Sequence, residues 1–202
     1  SDRVREDRKV EARNTDEAGF AASLAEAMGA DSLKGKKAIV LGAGGAARAV
    51  VRALSGLGAS RIVILARDAT RAQALASALG PGAKAILAAG DFSAFAEAAK
   101  DTALLVNATS AGMKKMPGLD LPLAPLPQSA FVCDIVYNPL QTDLLIRARA
   151  HGNPVIDGLG MLMHQAVPAF REFYGIEPKV TSALRKRLED APHDRGIDSG
   201  PA

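Results

Sequence analysis

From residue 37 onward the chain alternates short apolar runs with longer stretches whose apolar positions recur at helical spacing. Lys37 to Leu41, Arg61 to Ala66, Ala85 to Ala88, Ala103 to Val106, Phe131 to Ile135 and Pro154 to Ile156 read as six strands. Between and after them, 46–57, 70–79, 92–99, 140–150 and 159–174 read as helices, and an alanine-rich helix over 20–28 comes first. Gly58 and the Gly80-Pro81 pair stand where helix stops belong. The stretch from Met116 to Gln128 is too rich in proline for a regular helix. Near-continuous apolar strands separated by helices point to parallel βαβ units covered on both faces. Six strands in this order predict an α/β fold with a doubly wound parallel sheet, a Rossmann-type dinucleotide-binding domain.

Composition narrows the classes of function. Among 202 residues, 25 Lys and Arg face 22 Asp and Glu, too small a surplus for a polyanion groove, and aromatics make up only 4%. Nucleic acid is therefore not an expected partner. No apolar run reaches the roughly 18 residues of a membrane span, and the polar start, Ser-Asp-Arg-Val-Arg, lacks the core of a secretory signal. Cys133 stands alone and fits a reducing, cytoplasmic setting as a buried structural thiol. His151, His164 and His193 lack metal-ligand spacing, so no metal is expected; His164 reads as lying behind the site or at the surface. The Arg185-Lys186-Arg187 run reads as a solvated helix face.

The glycine turn carries the first specific chemistry. Gly42, Ala43, Gly44, Gly45 and Ala46 stand where the first strand hands over to a helix. The first glycine permits the tight turn, the second lets backbone approach a pyrophosphate, and Ala47 allows close packing of helix on strand. The helix N-terminus then offers amides and a favourable dipole to phosphates. At the end of the second strand, Ala66 is followed by Arg67 and, one turn on, Arg71. Two guanidiniums suit a 2′-phosphate and favour NADP. Asp68 lies between them and could serve a ribose hydroxyl, which leaves NAD open.

Four more segments put small polar or glycine-rich residues at strand ends or helix starts. Asn14 to Phe20 reads alone as a helix start capped by Thr15 or Asp16. Asn107 to Met113 and Asp134 to Pro139 end the fourth and fifth strands at the crevice edge, the latter bringing Tyr137. Asp157 to Met161 opens a helix carrying His164 and Gln165.

Taken together, NTDEAGF, GAGGAARA, the Arg67–Arg71 stretch, NATSAGM, DIVYNPLQT and DGLGMLMHQA resemble the cofactor domain of the shikimate dehydrogenase family. They run from residue 14 to 166. The resemblance implies an oxidoreductase of aromatic amino-acid biosynthesis that reversibly reduces 3-dehydroshikimate to shikimate with NADPH. By matching position, Asp16 is the substrate-binding aspartate that shares acid–base catalysis with a lysine, and Tyr137 and Gln165 hydrogen-bond the substrate. Gly42 to Ala46 hold the pyrophosphate, Ala66 to Arg71 the adenosine phosphate, and Ile135 and Gly158 touch the nicotinamide. The chain departs from the family at Ala66-Arg67-Asp68, where Asn-Arg-Thr or Asn-Arg-Ser is usual, at Glu17 in place of Gly, and at Asp143 in place of Pro.

The family's Ser-x-Ser pair and catalytic lysine lie ahead of the NTD segment, where this sequence has 13 residues, and Lys9 is in no matching context. With no initial Met, the chain reads as an excised piece. On this reading 1–30 is the end of a substrate domain with its linking helix, 31–190 the nucleotide-binding domain, and 191–202 a disordered tail. An NAD-preferring quinate/shikimate paralogue and a non-catalytic nucleotide-binding module remain alternatives, and no oligomeric state is implied.

Overall fold

A computed structural model describes residues 14–191. The expected tail, apart from Ala191, and the residues before Asn14 lie outside the described residues. Six strands form one parallel sheet: β1 (Lys37–Leu41), β2 (Arg61–Ala66), β3 (Ile86–Asp91), β4 (Thr102–Asn107), β5 (Phe131–Asp134) and β6 (Val155–Ile156). Their spatial order is β3-β2-β1-β4-β5-β6, so the winding reverses between β1 and β4. That reversal opens a crevice at the carboxyl ends of the strands. The helices are α1 (Asp16–Met28), α2 (Gly45–Gly56), α3 (Ala69–Leu79), α4 (Phe95–Ala99), α5 (Asp143–His151), α6 (Leu159–Tyr174) and α7 (Ser182–Glu189).

Alternation along the strands feeds two cores, because successive side chains point to opposite faces. Ala38, Val40, Ile62, Ile64, Leu104 and Val106 pack on one face with Phe20 of α1, Val50 and Leu54 of α2 and Leu75 of α3. Ile39, Leu41, Val63, Leu65, Leu105 and Val132 pack on the other with Phe95, Leu144 and Leu145. Leu121, Leu123 and Leu126 join this second core, so the proline-rich connection stays non-helical yet buries its leucines as cover for the sheet.

Boundaries moved where long-range pairing or capping outweighed local signals. β3 runs on to Asp91 because its ladder with β2 continues to the Ala66↔Asp91 pair, despite the weak strand formers Ala88 to Gly90. α5 starts at Asp143 and not at residue 140, because Thr142 caps it by accepting from the Leu145 amide. At α1 neither Thr15 nor Asp16 receives the amide hydrogen. Asn14 does, its Oδ1 accepting from the Asp16 amide at 2.8 Å, while Thr15 makes no side-chain cap bond.

α1 and α6 cross closely at Gly19, where an added Cβ would lie 2.6–2.7 Å from the Gln165 backbone N, Cα and Cβ. Glu26 of α1 and His164 of α6 meet across the same pair at 2.7 Å. Among the described residues no helix is long and apolar enough to cross a membrane.

Candidate functional site

β1 ends in a turn that demands its first glycine. Gly42 has φ +113, and a Cβ there would lie 2.8 Å from the Ala108 carbonyl oxygen. The turn is held from both sides: the Gly42 amide donates to Leu65 O at 2.7 Å, and the Ala108 amide to Leu41 O at 2.8 Å. Gly44 is the N-cap of α2 and makes no side-chain cap bond, so the first-turn amides of α2, Gly45 and Ala46 included, remain available to an outside acceptor. A Cβ at Gly44 would meet nothing within 4 Å. Ala47, fully buried, sits where close helix–strand packing was expected.

A cleft of about 700 Å³ runs along this edge. Gly42, Ala43 and Gly44 form its floor, Ala66, Arg67, Asp68 and Arg71 one end, and Ala108 to Ala111 the other. Of the residues singled out for a nucleotide, Gly42, Ala43, Gly44, Ala66, Arg67 and Arg71 therefore line one cleft. Gly45 and Ala46 begin α2 outside the lining, while Ile135 and Gly158 meet each other farther along the sheet edge. Arg67 and Arg71 are exposed, and Arg71 stands in the first turn of α3, where the helix dipole does not reward a cation. Asp68 caps α3, its Oδ1 accepting from the Thr70 amide at 2.9 Å. Phe92 and the stretch from Met116 to Leu119 also line the cleft. Motif reading passed over both, although Phe92 directly follows the carboxyl end of β3, where crevice residues collect.

The substrate candidates divide between two elements. Asp16 and Gly19 are three apart on α1 and so share a face, which sets Asp16 one turn from the Gly19–Gln165 crossing. Both Asp16 and Gln165 are half-buried, whereas Tyr137 is 46% exposed on the loop after β5. No hydrogen bond joins Asp16, Tyr137 and Gln165 among the described residues.

Beneath the crevice lies a buried polar network. Asn107 and Asp134 are register partners on β4 and β5, and both are almost wholly buried. Asp134 Oδ1 accepts from Asn107 Nδ2 at 2.9 Å and from the Val136 amide at 3.0 Å; Oδ2 accepts from Thr142 Oγ1 at 2.7 Å. Asn107 Oδ1 in turn accepts from the Thr109 amide and hydroxyl at 3.0 and 2.7 Å. Its Nδ2 also reaches Ala111 O at 3.1 Å. One carboxylate thus ties the 108–111 loop that lines the cleft to the loop carrying Ile135 and Tyr137. Burial pushes the Asp134 carboxyl above its usual range, against the pull of its three hydrogen bonds.

The native state therefore holds this proton more tightly than the unfolded chain. The stabilisation it brings is complete below the ordinary value of 3.8 and is lost as pH rises through the raised one. Asp134→Asn has no such proton to lose. Melting temperatures of the two chains, followed upward in pH from the ordinary value of 3.8, should diverge in the variant's favour as pH rises. Parallel curves would show that the Asp134 proton is not linked to folding.

Other side chains proved less free than their composition suggested. Arg185 of α7 is not part of a fully solvated face: it pairs with Asp157 and, at 2.8 Å, with Glu189. Asp157 also accepts from the Leu159 amide at 3.1 Å, so the DGLG turn is clamped from both directions. Cys133 is buried, with its thiol pushed up by burial and by the nearby Asp134 and Asp157 charges, which keeps it protonated and inert. At Gly158, the N-cap of α6, an added Cβ would fall 2.5 Å from Ile135 C and 2.7 Å from Val136 C, and closer still to Ile135 O.

Comparison with known proteins agrees with this geometry. Residues 23–118 match the family model described as shikimate / quinate 5-dehydrogenase. The shikimate dehydrogenase (NADP(+)) of Methylobacterium radiotolerans is 50% identical over 184 residues, which cover 90% of this chain and 64% of that protein. That of Methylocella silvestris is 49% identical, over 91% and 64%. The chain thus spans just under two thirds of the length of these relatives. Among solved structures, quinate dehydrogenase from Corynebacterium glutamicum in complex with NAD superposes with TM-score 0.77 at 36% identity, over 87% of this chain and 62% of that one. Shikimate 5-dehydrogenase from Thermus thermophilus in complex with NADP(H) and shikimate gives 0.68 at 38% identity, over 82% and 58%. The Rossmann-type sheet, the glycine turn at its switch point and this agreement over nine-tenths of its length make the chain similar to the shikimate/quinate dehydrogenases, whose family model it matches over residues 23–118.

Proposed function

We propose that residues 31–190 bind NADP(H) along the carboxyl edge of the sheet, and that the protein reversibly reduces 3-dehydroshikimate to shikimate, an oxidoreductase step of aromatic amino-acid biosynthesis. The observation that carries the reading is the cleft itself, with open space over Gly44 and two exposed guanidiniums at its β2 end. Gly42 to Ala46 would receive the pyrophosphate, Ala66 to Arg71 the adenosine end with its 2′-phosphate, and Ile135 and Gly158 the nicotinamide. When bound, the cofactor supplies the hydride. The chain's residues orient the acceptor carbonyl and manage its proton: Asp16, at the α1–α6 crossing, holds a substrate hydroxyl and shares the acid–base work, while Tyr137 and Gln165 fix the ring and its carboxylate. Residues 16–28 then form the wall that faces substrate. A cytoplasmic setting belongs to the same reading.

A second reading, NAD in place of NADP, draws on Asp68, which lines the same end of the cleft. Its carboxylate is engaged as the cap of α3, which makes a ribose contact secondary to the helix start.

Gly44→Ala tests the proposal on this 202-residue chain. The new methyl touches no protein atom within 4 Å, so the melting temperature should hardly move. NADPH affinity by calorimetry should fall about tenfold, because the methyl occupies the space that the pyrophosphate needs. Unchanged affinity would overturn the placement. Reduction of NADP by shikimate, measured on the same chain and on an Asp16→Ala variant, separates an enzyme from a binding module: turnover abolished by the variant supports the assigned chemistry.

A further inference from the structure

Asp134 is a buried carboxylate for which the described residues provide no cation. Three donors satisfy it, from Asn107, Val136 and Thr142, and none is charged. No salt bridge reaches it among the described residues. The start of α5, capped by Thr142, brings the positive end of a helix dipole, about half a charge. A carboxylate accepting from three donors has the acceptor-only pattern of the ionised form. Buried charges in folded proteins are ordinarily paired, so the unmatched remainder asks for a positive group that arrives from outside.

Its position says where that group would come from. Along the sheet edge, β2 presents Arg67 and Arg71, β1 the glycine turn, and β4 the small polar loop of Ala108 to Ala111. β5 is the next strand in the order, and Asp134 is its last residue. Ile135 follows it directly, and Gly158 packs on the Ile135 and Val136 backbone. A dinucleotide laid from β2 toward β5 with its adenosine at the arginines would bring its nicotinamide ring to this end. That ring carries a positive charge when oxidised and none when reduced.

We propose that Asp134 is a positioning residue whose buried negative charge favours the oxidised nicotinamide over the reduced one, biasing the bound cofactor toward NADP⁺. This rests on the nucleotide reading above and assigns to Asp134 a property that its role as a loop tie does not entail. Loss of the loop tie would weaken both forms of the cofactor equally; loss of the charge changes their ratio.

The test is the ratio of the NADP⁺ and NADPH dissociation constants on the full chain, by calorimetry. Asp134→Asn removes the charge but can still accept from Asn107 and Val136 and donate to Thr142 Oγ1, so the fold is kept. It should weaken NADP⁺ relative to NADPH about fivefold, the size of a partly screened charge pair. Asp134→Glu keeps the charge and should keep the ratio, whatever it costs both affinities. Thr142→Val removes the bond to Asp134 and the cap on the Leu145 amide without removing the charge, and should also leave the ratio alone, which separates strain from electrostatics. If Asp134→Asn leaves the ratio unchanged, or Thr142→Val shifts it as far, the proposal is overturned while the nucleotide site stands. If the unmodified chain binds neither nucleotide, the site reading itself fails, and this one with it.

Discussion

Gly158→Ala should destabilise the chain by about 4 kcal/mol or more, the largest effect expected of any single methyl in this molecule. The reason is what the methyl meets. Its neighbours at 2.5 and 2.7 Å are Ile135 C and Val136 C, backbone atoms that cannot rotate out of the way as a side chain can. Either α6 must retreat from the end of β5 or the 135–136 peptide must buckle, and each route breaks something already satisfied. Retreat disturbs the bond from the Leu159 amide to Asp157; buckling disturbs the bond from the Val136 amide to Asp134. For a domain of this size the cost corresponds to a fall in melting temperature of roughly 10 °C. Gly56→Ala is the matching control, since a Cβ there meets nothing within 4 Å and the residue closes a helix. It should stabilise by about 0.5–1 kcal/mol. Equal melting temperatures for Gly158→Ala and the unmodified chain would mean that α6 is not seated on β5 as described.

The contrast between these glycines shows which parts of the fold could be read from sequence. Gly42 was legible because a strand, a glycine and a helix in succession specify their own local geometry, and the structure supplies the positive φ and the close Ala108 carbonyl. The six strands and their helices were legible because burial on both faces writes an apolar run for each strand. The network around Asp134 was not, since Asn107 and Asp134 are 27 residues apart and meet only through the register of β4 and β5. Arg185 is a similar case: its run of basic residues looks solvated until α7 folds back on the turn that carries Asp157. The approach of α1 to α6 at Gly19 is likewise invisible locally, because a glycine in the first turns of a helix carries no sign of what crosses it. Motifs named the residues at the crevice edge; only the register and the helix crossings say how those residues are held.

The second large effect concerns the choice of nucleotide. Arg67→Ala combined with Arg71→Ala should weaken NADPH binding about 100-fold and NADH binding by less than about threefold. Both side chains are exposed, so their removal opens no cavity and stability should move by no more than about 0.5 kcal/mol. A 2′-phosphate carries close to two negative charges, and each charge-assisted bond to it contributes about 1.5–3 kcal/mol. Losing two such bonds, partly screened because the arginines face water, leaves about 3 kcal/mol, which is the factor of 100. Asp68 works against them from the same wall of the cleft. Its charge suits a ribose hydroxyl, but its Oδ1 is already the acceptor for the Thr70 amide. Asp68→Asn preserves that cap, since asparagine serves there as well as aspartate, and removes the charge that opposes the phosphate. It should tighten NADPH about fivefold and leave NADH unchanged, whereas a true ribose ligand would lose NADH affinity on the same substitution. Equal losses for both nucleotides in the double arginine variant would place those guanidiniums on something other than the 2′-phosphate. A fall in NADH affinity alone in Asp68→Asn would turn the assignment from NADP to NAD.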